Sequence, residues 1–531
     1  MRRMYFGGDI ITMRGEGHTV EALVVEDGRI VYTGDFEDAK SFCGQESEYV
    51  DLAGKTLMPS FIDPHSHFSQ MAQSILMCDL SETKSFEEIY LALKAYLEKN
   101  QTDENGVVFA SGYDHNFLKE QRHPDKALLD RVSETAPIYI SHASGHMGVA
   151  NSAMFRLAGI TSDTPDPEGG RFGRAEDGSL TGYVEETPAL MRILIPASPR
   201  MKMDMGLQMQ MTQELYLKYG ITTAQEGAVM CQGMQGLAWY AASGALKLDI
   251  AAYILENDYD QTIKEFGEYN QTYKNGLKIG GAKIILDGSP QGKSAWLSRP
   301  YEGEETYCGY PTHEDAYVEN AVKKAVEGGY QILAHCNGDA ASEQFLNSYE
   351  KALCEVENPD RDLRPVMIHC QTVREDQLDR MKKLHMIPSF FIGHTYYWGD
   401  IHLKNLGADR GANISPVKSA MDRGLIYNFH QDTPVTKPDM LHSVWCAVNR
   451  ITRNGQSIGA GQCVSVYDAL KGVTIYAAYE YHEEDQKGTL EAGKLADMVI
   501  LDKNPMKVDK MAIKDIQVLE TMKRGETCYR K

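Results

Sequence analysis

Five apolar stretches of β character recur along the chain, and each delivers side chains that can ligate a metal ion. They are Lys55 to Pro59, leading to His65 and His67; Ala282 to Asp287, with Lys283 inside it; Gln331 to His335; Pro365 to His369; and Leu425 to Asp432. In a strand, residues i and i+2 share a face, so the imidazoles of His65-Ser66-His67 are expected to reach a single ion. The spaces between the later runs, such as Glu314 to Gly328 and Ala340 to Glu355, are long enough for helical crossovers between parallel strands. Ligands delivered from the ends of several strands are the arrangement at the C-terminal mouth of a (β/α)8 barrel. The fold class expected is therefore α/β, built on a TIM barrel.

At 531 residues the chain exceeds one usual domain, so the barrel should carry appendages. Residues 1–57 alternate apolar and polar around the hairpin signal Asp27-Gly28, and 487–531 read the same way. The barrel is assigned to 58–486. Between His67 and a second strand at Tyr219 to Gln225 lie far more residues than a crossover needs. About 68–215 is accordingly read as a folded insertion, with helices at Phe86 to Lys99 and Lys126 to Glu134. Loops on that barrel face commonly carry binding residues, so the insertion is expected to cover the active site and set specificity.

A formal charge of −21 argues against a nucleic-acid partner, which needs a basic surface. No window holds eighteen uninterrupted apolar residues and the start has no signal-peptide core, so a cytoplasmic location without a membrane partner is expected. Ten cysteines without a C-x-x-C pair suggest buried thiols. Cys336 and Cys370 directly follow His335 and His369, and strand alternation should turn them into packing.

The order His-x-His, Lys, His, His, Asp resembles the amidohydrolase superfamily of metal-dependent hydrolases. Further motifs are similar to its family 3, the branch that includes N-substituted formamide deformylase. They are Ser144-Gly145-His146 running on to Asn151-Ser152, Asp163 to Gly170, Thr181-Gly182 followed by Glu185-Glu186, Asp287-Gly288-Ser289, His335 to Asp339, and His369-Cys370-Gln371. The match runs from Gly8 to Asp502. It implies that 1–57 and 487–531 join in one small composite β-sandwich.

The resemblance also implies a chemistry. His65 and His67 would hold the more buried ion, and His335 and His369 a second. Zinc suits nitrogen and oxygen donors, as one or two ions, with manganese and iron left open. A lysine inside an apolar strand is costly while charged, which favours the free amine. The family pattern implies a carboxylated Lys283 bridging two metals, the alternative being an ordinary lysine paired with Asp287. Asp432 would ligate the metal, hold the attacking water and take its proton. His394, after an expected seventh strand at Met386 to Ile392, would stabilise the oxyanion, with Trp398 lining an apolar pocket.

Further expectations of substrate contact fall on Asp287, on Glu186 or its neighbour Glu185, and on His146, which could equally fix its own loop. The chain departs from the family pattern at Gln431, where a small residue commonly precedes the last aspartate. That side chain either turns away into the barrel layer or narrows the site. The function implied is hydrolysis of a non-peptide C–N bond, amide or formamide, in a small molecule. Ester, lactone or cyclic-amide hydrolysis and a catalytically silent ligand-binding regulator are the alternatives. A homodimer is the assembly entertained.

Overall fold

The computed structural model describes residues 2–100, 102–143, 145–200 and 204–531. The chain forms two compact units, one of Met1–Met71 with Met209–Lys531 and one of Ala72–Gln208. In the first unit eight parallel strands make one sheet in chain order. They are β1 (Phe61–Ile62), β2 (Ile221–Val229), β3 (Asp249–Leu255), β4 (Leu277–Ile285), β5 (Gln331–Cys336), β6 (Val366–His369), β7 (Ile387–Phe390) and β8 (Asn428–Phe429). β4 is buried at every position but its last, the pattern of a strand covered on both faces. Helices at Asp315–Gly328 and Asp339–Glu355 make crossovers where chain length called for them. β1 and β8 stand at the two ends of the ladder. Just beyond them the main chains meet, Asp432 N donating to His65 O at 3.2 Å and His67 N to Thr433 O at 2.7 Å.

The run before His65 behaves differently from its expectation. Thr56–Pro59 is a strand, but it pairs with Asp9 and Ile10 and with Met498–Leu501 in another sheet. Ser60 is the switch between sheets: its N–H donates to Asp497 O at 3.0 Å, and the next N–H, of Phe61, donates to Gly220 O at 2.9 Å. That other sheet has eight strands and joins both ends of the chain, with Arg3–Ile11, Thr19–Glu26 and Arg29–Gly34 on one side and Met498–Leu501, Val518–Lys523 and Glu526–Arg530 on the other.

The second unit has the two expected helices, at Phe86–Asn100 and Lys126–Val132. The latter begins where Asp125 accepts a hydrogen bond from Leu128 N at 3.1 Å, an ordinary N-cap. The unit also contains a six-stranded sheet that the sequence reading missed. Its strands are two to six residues long, too short to show a clear period of two. Among the described residues no helix is long and apolar enough to cross a membrane.

Candidate metal centre

Most of the expected ligands meet beyond the C-terminal ends of the parallel strands. His65 and His67 lie past β1 and not on it, because Pro64 has no N–H to extend a ladder. Strand alternation is therefore not what aligns them; the chain path does. Their Nε2 atoms stand 3.5 Å and 3.2 Å from one oxygen, Asp432 Oδ1. The three donors lie within 4.8 Å of one another. Lys283, buried near the end of β4, places Nζ 3.4 Å from His65 Nε2. His335 and His369 sit on neighbouring strands β5 and β6, with Nδ1 of the first 3.1 Å from Nε2 of the second. His369 Nε2 in turn is 4.0 Å from Asp432 Oδ2, so the two carboxylate oxygens face two groups of histidines.

Electrostatics favours ligation. Burial, reinforced by Lys283, draws His65 well below the ordinary histidine range and His335 to about 4, and burial does the same for His369. These three imidazoles are thus neutral, the form that binds a cation. Burial alone would raise the Asp432 carboxyl, but the close His67 and the fields of His369 and His65 hold it well below its usual range. Burial pulls the Lys283 ammonium down to about 8, against the opposing pull of Asp432. Asp432 Oδ1 and His67 Nδ1 are both buried with no hydrogen-bond partner. The neutral imidazoles of His65, His335 and His369 and an ionised carboxylate with its Oδ1 unsatisfied make a set that fits a divalent cation.

The other expected residues divide. His394 opens the short helix His394–Tyr397 after β7; its ring packs 4.6 Å from those of Phe391 and Trp398, and its Nδ1 lies 3.0 Å from His402 Nε2. Burial, then His402, holds His394 neutral. Asp287 is turned to main chain: Asn337 N, Gly338 N and Trp296 N donate to its carboxylate at 2.9, 2.7 and 3.0 Å, while burial pushes its pKa up to about 7. Lys283 and Asp287 therefore do not form the ion pair weighed above. Gln431 turns away, donating to Asp439 O and Ser443 Oγ at 2.6 and 2.7 Å and accepting from Thr436 Oγ1 at 2.7 Å. In the other unit the exposed His146 has Nδ1 3.3 Å from Glu186 Oε2, and Glu185 pairs with Arg171 at 2.9 Å. Ser144, of the same motif as His146, lies outside the described residues. Cys336 and Cys370 are buried, with sulfurs directed at the main-chain carbonyls of Ala341 and Met367.

Two residues that hold expected ligands escaped the sequence reading. Gln225, on β2, holds His65 Nδ1 through its Oε1 at 2.6 Å and is itself fixed by donation to Pro64 O. His430 holds His369 Nδ1 at 3.1 Å and contacts Ser389 Oγ at 2.9 Å. Such outer partners set the tautomer and orientation of ligating imidazoles. The signal that marks Lys283, a polar side chain inside a buried strand, was present at Gln225 too.

Comparison with known proteins gives this arrangement a family. A sequence profile described as the Amidohydrolase family matches residues 48–529, and the chain belongs to that family. It is 27% identical over the full length of both chains to a Bacillus subtilis protein named as the amidohydrolase YtcJ. It is 25% identical to the N-substituted formamide deformylase of Arthrobacter pascens, over 99% of this chain and 98% of that one. Among solved structures it is similar to a metal-dependent hydrolase from Pyrococcus horikoshii, with a TM-score of 0.78 and 26% identity over 96% of this chain and 99% of the other.

Proposed function

We propose that this protein hydrolyses a non-peptide C–N bond, an amide or formamide of a small molecule, at a divalent metal centre. The observation that carries the reading is the convergence of His65, His67 and Asp432 on one point beside a buried, readily neutralised Lys283. In this reading the eight parallel strands form a closed (β/α)8 barrel and the strands from both chain ends a small β-sandwich. His65 and His67 would hold one ion and His335 and His369 a second, zinc being the cation best suited to the donors. Lys283, whose neutral amine can take up carbon dioxide, would as a carbamate add oxygen donors to those of the histidines. Bound there, the cation supplies Lewis acidity, lowering the pKa of water from about 16 to about 7 and polarising a carbonyl oxygen.

The remaining work falls to side chains. Asp432, ionised and held by its histidines, accepts the proton of the attacking water and returns it to the leaving nitrogen. His394, kept neutral and fixed by His402, steadies charge on the carbonyl oxygen, and Trp398 excludes water from the apolar side of the substrate. The acidic surface and absence of a membrane-crossing helix among the described residues suit a cytoplasmic enzyme.

The test is a screen of zinc-reconstituted protein, prepared in bicarbonate, against N-substituted formamides, N-acyl amides, esters, lactones and cyclic amides. Turnover is expected to be highest on a linear amide or formamide and to fall ~10²–10⁴-fold in Asp432→Asn. A preference for esters or lactones transfers the reading to that chemistry. Tight binding without turnover in metal-replete protein would sink the hydrolase and leave a ligand-binding regulator.

A further inference from the structure

The unit Ala72–Gln208 contains a second group of donor atoms, which the hydrolytic reading does not use. The parallel ladder pairs Tyr113 with His142, so Asp114, just after the strand Val108–Tyr113, arrives beside His142 at the end of Ile138–His142. A turn then fixes the carboxylate: Asn116 donates to Asp114 Oδ1 from both its main-chain N and its Nδ2, each at 2.9 Å. His115, in that turn, directs its Nδ1 at the same spot. The three atoms make a compact triangle, with His115 Nδ1 3.2 Å from His142 Nε2, His142 Nε2 3.4 Å from Asp114 Oδ1, and His115 Nδ1 3.8 Å from that oxygen.

The dimensions of this triangle are those of a coordination sphere. A point equidistant from the three corners lies about 2.0 Å from each in their plane, within the range of zinc bonds to histidine nitrogen and carboxylate oxygen. His142 Nε2 stands on two of these edges, and the one hydrogen a ring nitrogen can carry cannot be centred on both. Asp114 and His142 are only 9% and 8% exposed, so little water reaches these two corners. A cation at the centre would attract all three donor atoms at once.

The surroundings are built to the same end. His123 stacks on His115 with ring centroids 4.0 Å apart and interplanar angle 29°, and is itself held by Tyr113 Oη at 3.0 Å from its Nδ1. The His115 ring is thereby oriented from behind while its side chain stays 28% exposed, leaving a side through which a water or another ligand completes the sphere. We propose that Asp114, His115 and His142 form a second divalent-metal site, wholly within this unit, with an open coordination position. Two imidazoles and one carboxylate suit zinc and ferrous iron alike.

Metal-free full-length protein would be loaded with Zn²⁺ and, separately and without oxygen, with Fe²⁺. Anomalous diffraction at each metal's edge then locates the ions, and inductively coupled plasma mass spectrometry counts them. The expected result is an anomalous peak among Asp114, His115 and His142 with one of the two metals, and a loss of about one equivalent in His115→Ala. His142→Gln, which keeps a polar side chain at the buried corner, should lose the same equivalent. Neither substitution touches the His65 group, so a loss confined to one centre is distinguishable from a loss at the other. Absence of the peak with both metals, whatever the His65 group holds, overturns the proposal; so does a metal count unchanged in both variants.

Discussion

Lys283 and Lys487 are both buried in the same unit, yet they serve opposite ends of the parallel strands. Lys487 Nζ lies 2.6 Å from Asp249, the first residue of β3, and 2.7 Å from Glu483. Burial works against its charge, but the two carboxylates overcome it and raise its pKa. Asp249, which also meets Lys523 at 2.5 Å, is held far below the carboxylate range by the two lysines despite its burial. Lys523 is itself drawn down by burial, against the opposing pull of Asp249. Lys283 stands near the opposite, C-terminal end of β4, where its Nζ contacts His65 Nε2 and burial draws it to about 8. Equal burial thus accompanies opposite shifts, and pairing decides which. A lysine locked to carboxylates anchors strand starts; one left without such a lock gives up its proton more readily at the strand ends, where α/β sheets place their ligands.

The largest effect that would break this contrast is at the anchored end. Asp249→Ala leaves Lys487 and Lys523 buried without their shared carboxylate, and unfolding free energy from urea titration should fall by about 3–5 kcal/mol. A loss under about 1 kcal/mol would mean that Lys487 is no more dependent on pairing than Lys283. Lys283→Met should behave in the reverse way. Replacing a buried amine by an apolar side chain of similar length leaves stability within about 1 kcal/mol of wild type or above it. Metal content and turnover, however, should both collapse, by more than the ~10–100-fold that an outer orienting residue is worth. If Lys283→Met keeps its metal and unfolds early instead, the lysine is an anchor after all.

A gentler probe of the same end is Gln225→Leu, which removes the group that fixes the His65 ring while sparing every ligand. Metal affinity measured by competition with a chromogenic chelator should weaken by ~10–100-fold, with turnover at saturating metal much less affected. Unchanged affinity would show that His65 is oriented by packing alone.

How far these residues were legible in the sequence follows from the kind of signal each leaves. His65, His67, His335, His369 and Asp432 stand out because each is a metal-competent residue at the end of an apolar run, and all five come together in space. Crossover helices such as Asp315–Gly328 follow from length and composition for the same local reason. What local pattern could not show was which sheet a strand joins. Thr56–Pro59 and Phe61–Ile62 are apolar neighbours separated only by Ser60, and hydrogen bonds to Asp497 and Gly220, far along the chain, send them to different sheets. Gln225 and His430 were invisible as functional residues because their role is a contact with a ligand 160 and 61 positions away, respectively. The sheet of the second unit, with strands as short as Cys78–Asp79, carries too few residues for periodicity to register.

The smallest effect sharpens the contrast by titration. In metal-free protein His430, buried against His369 and Ser389, is drawn by burial from 6.5 to about 3, while Glu480, buried against Asn428 and Gln225, is pushed by burial from 4.5 to about 8. As pH falls below 6.5 the unfolded chain protonates at His430 before the fold does, so this residue's contribution to stability is lost on acidification until about pH 3. Glu480 has the other sign: its contribution is complete below pH 4.5 and is lost as pH rises through about 8. Each slope is bounded by about 1.4 kcal/mol per pH unit. Relative to wild type, His430→Asn should therefore gain stability on going from pH 6.5 to pH 5, whereas Glu480→Gln should gain on going from pH 5 to pH 7.5, both read from urea unfolding of chelator-treated protein. A His430→Asn difference that grew with rising pH would mean that the imidazole is charged in the fold, and the neutral ligand cluster that distinguishes this end of the strands from the Asp249 end would be lost as an argument.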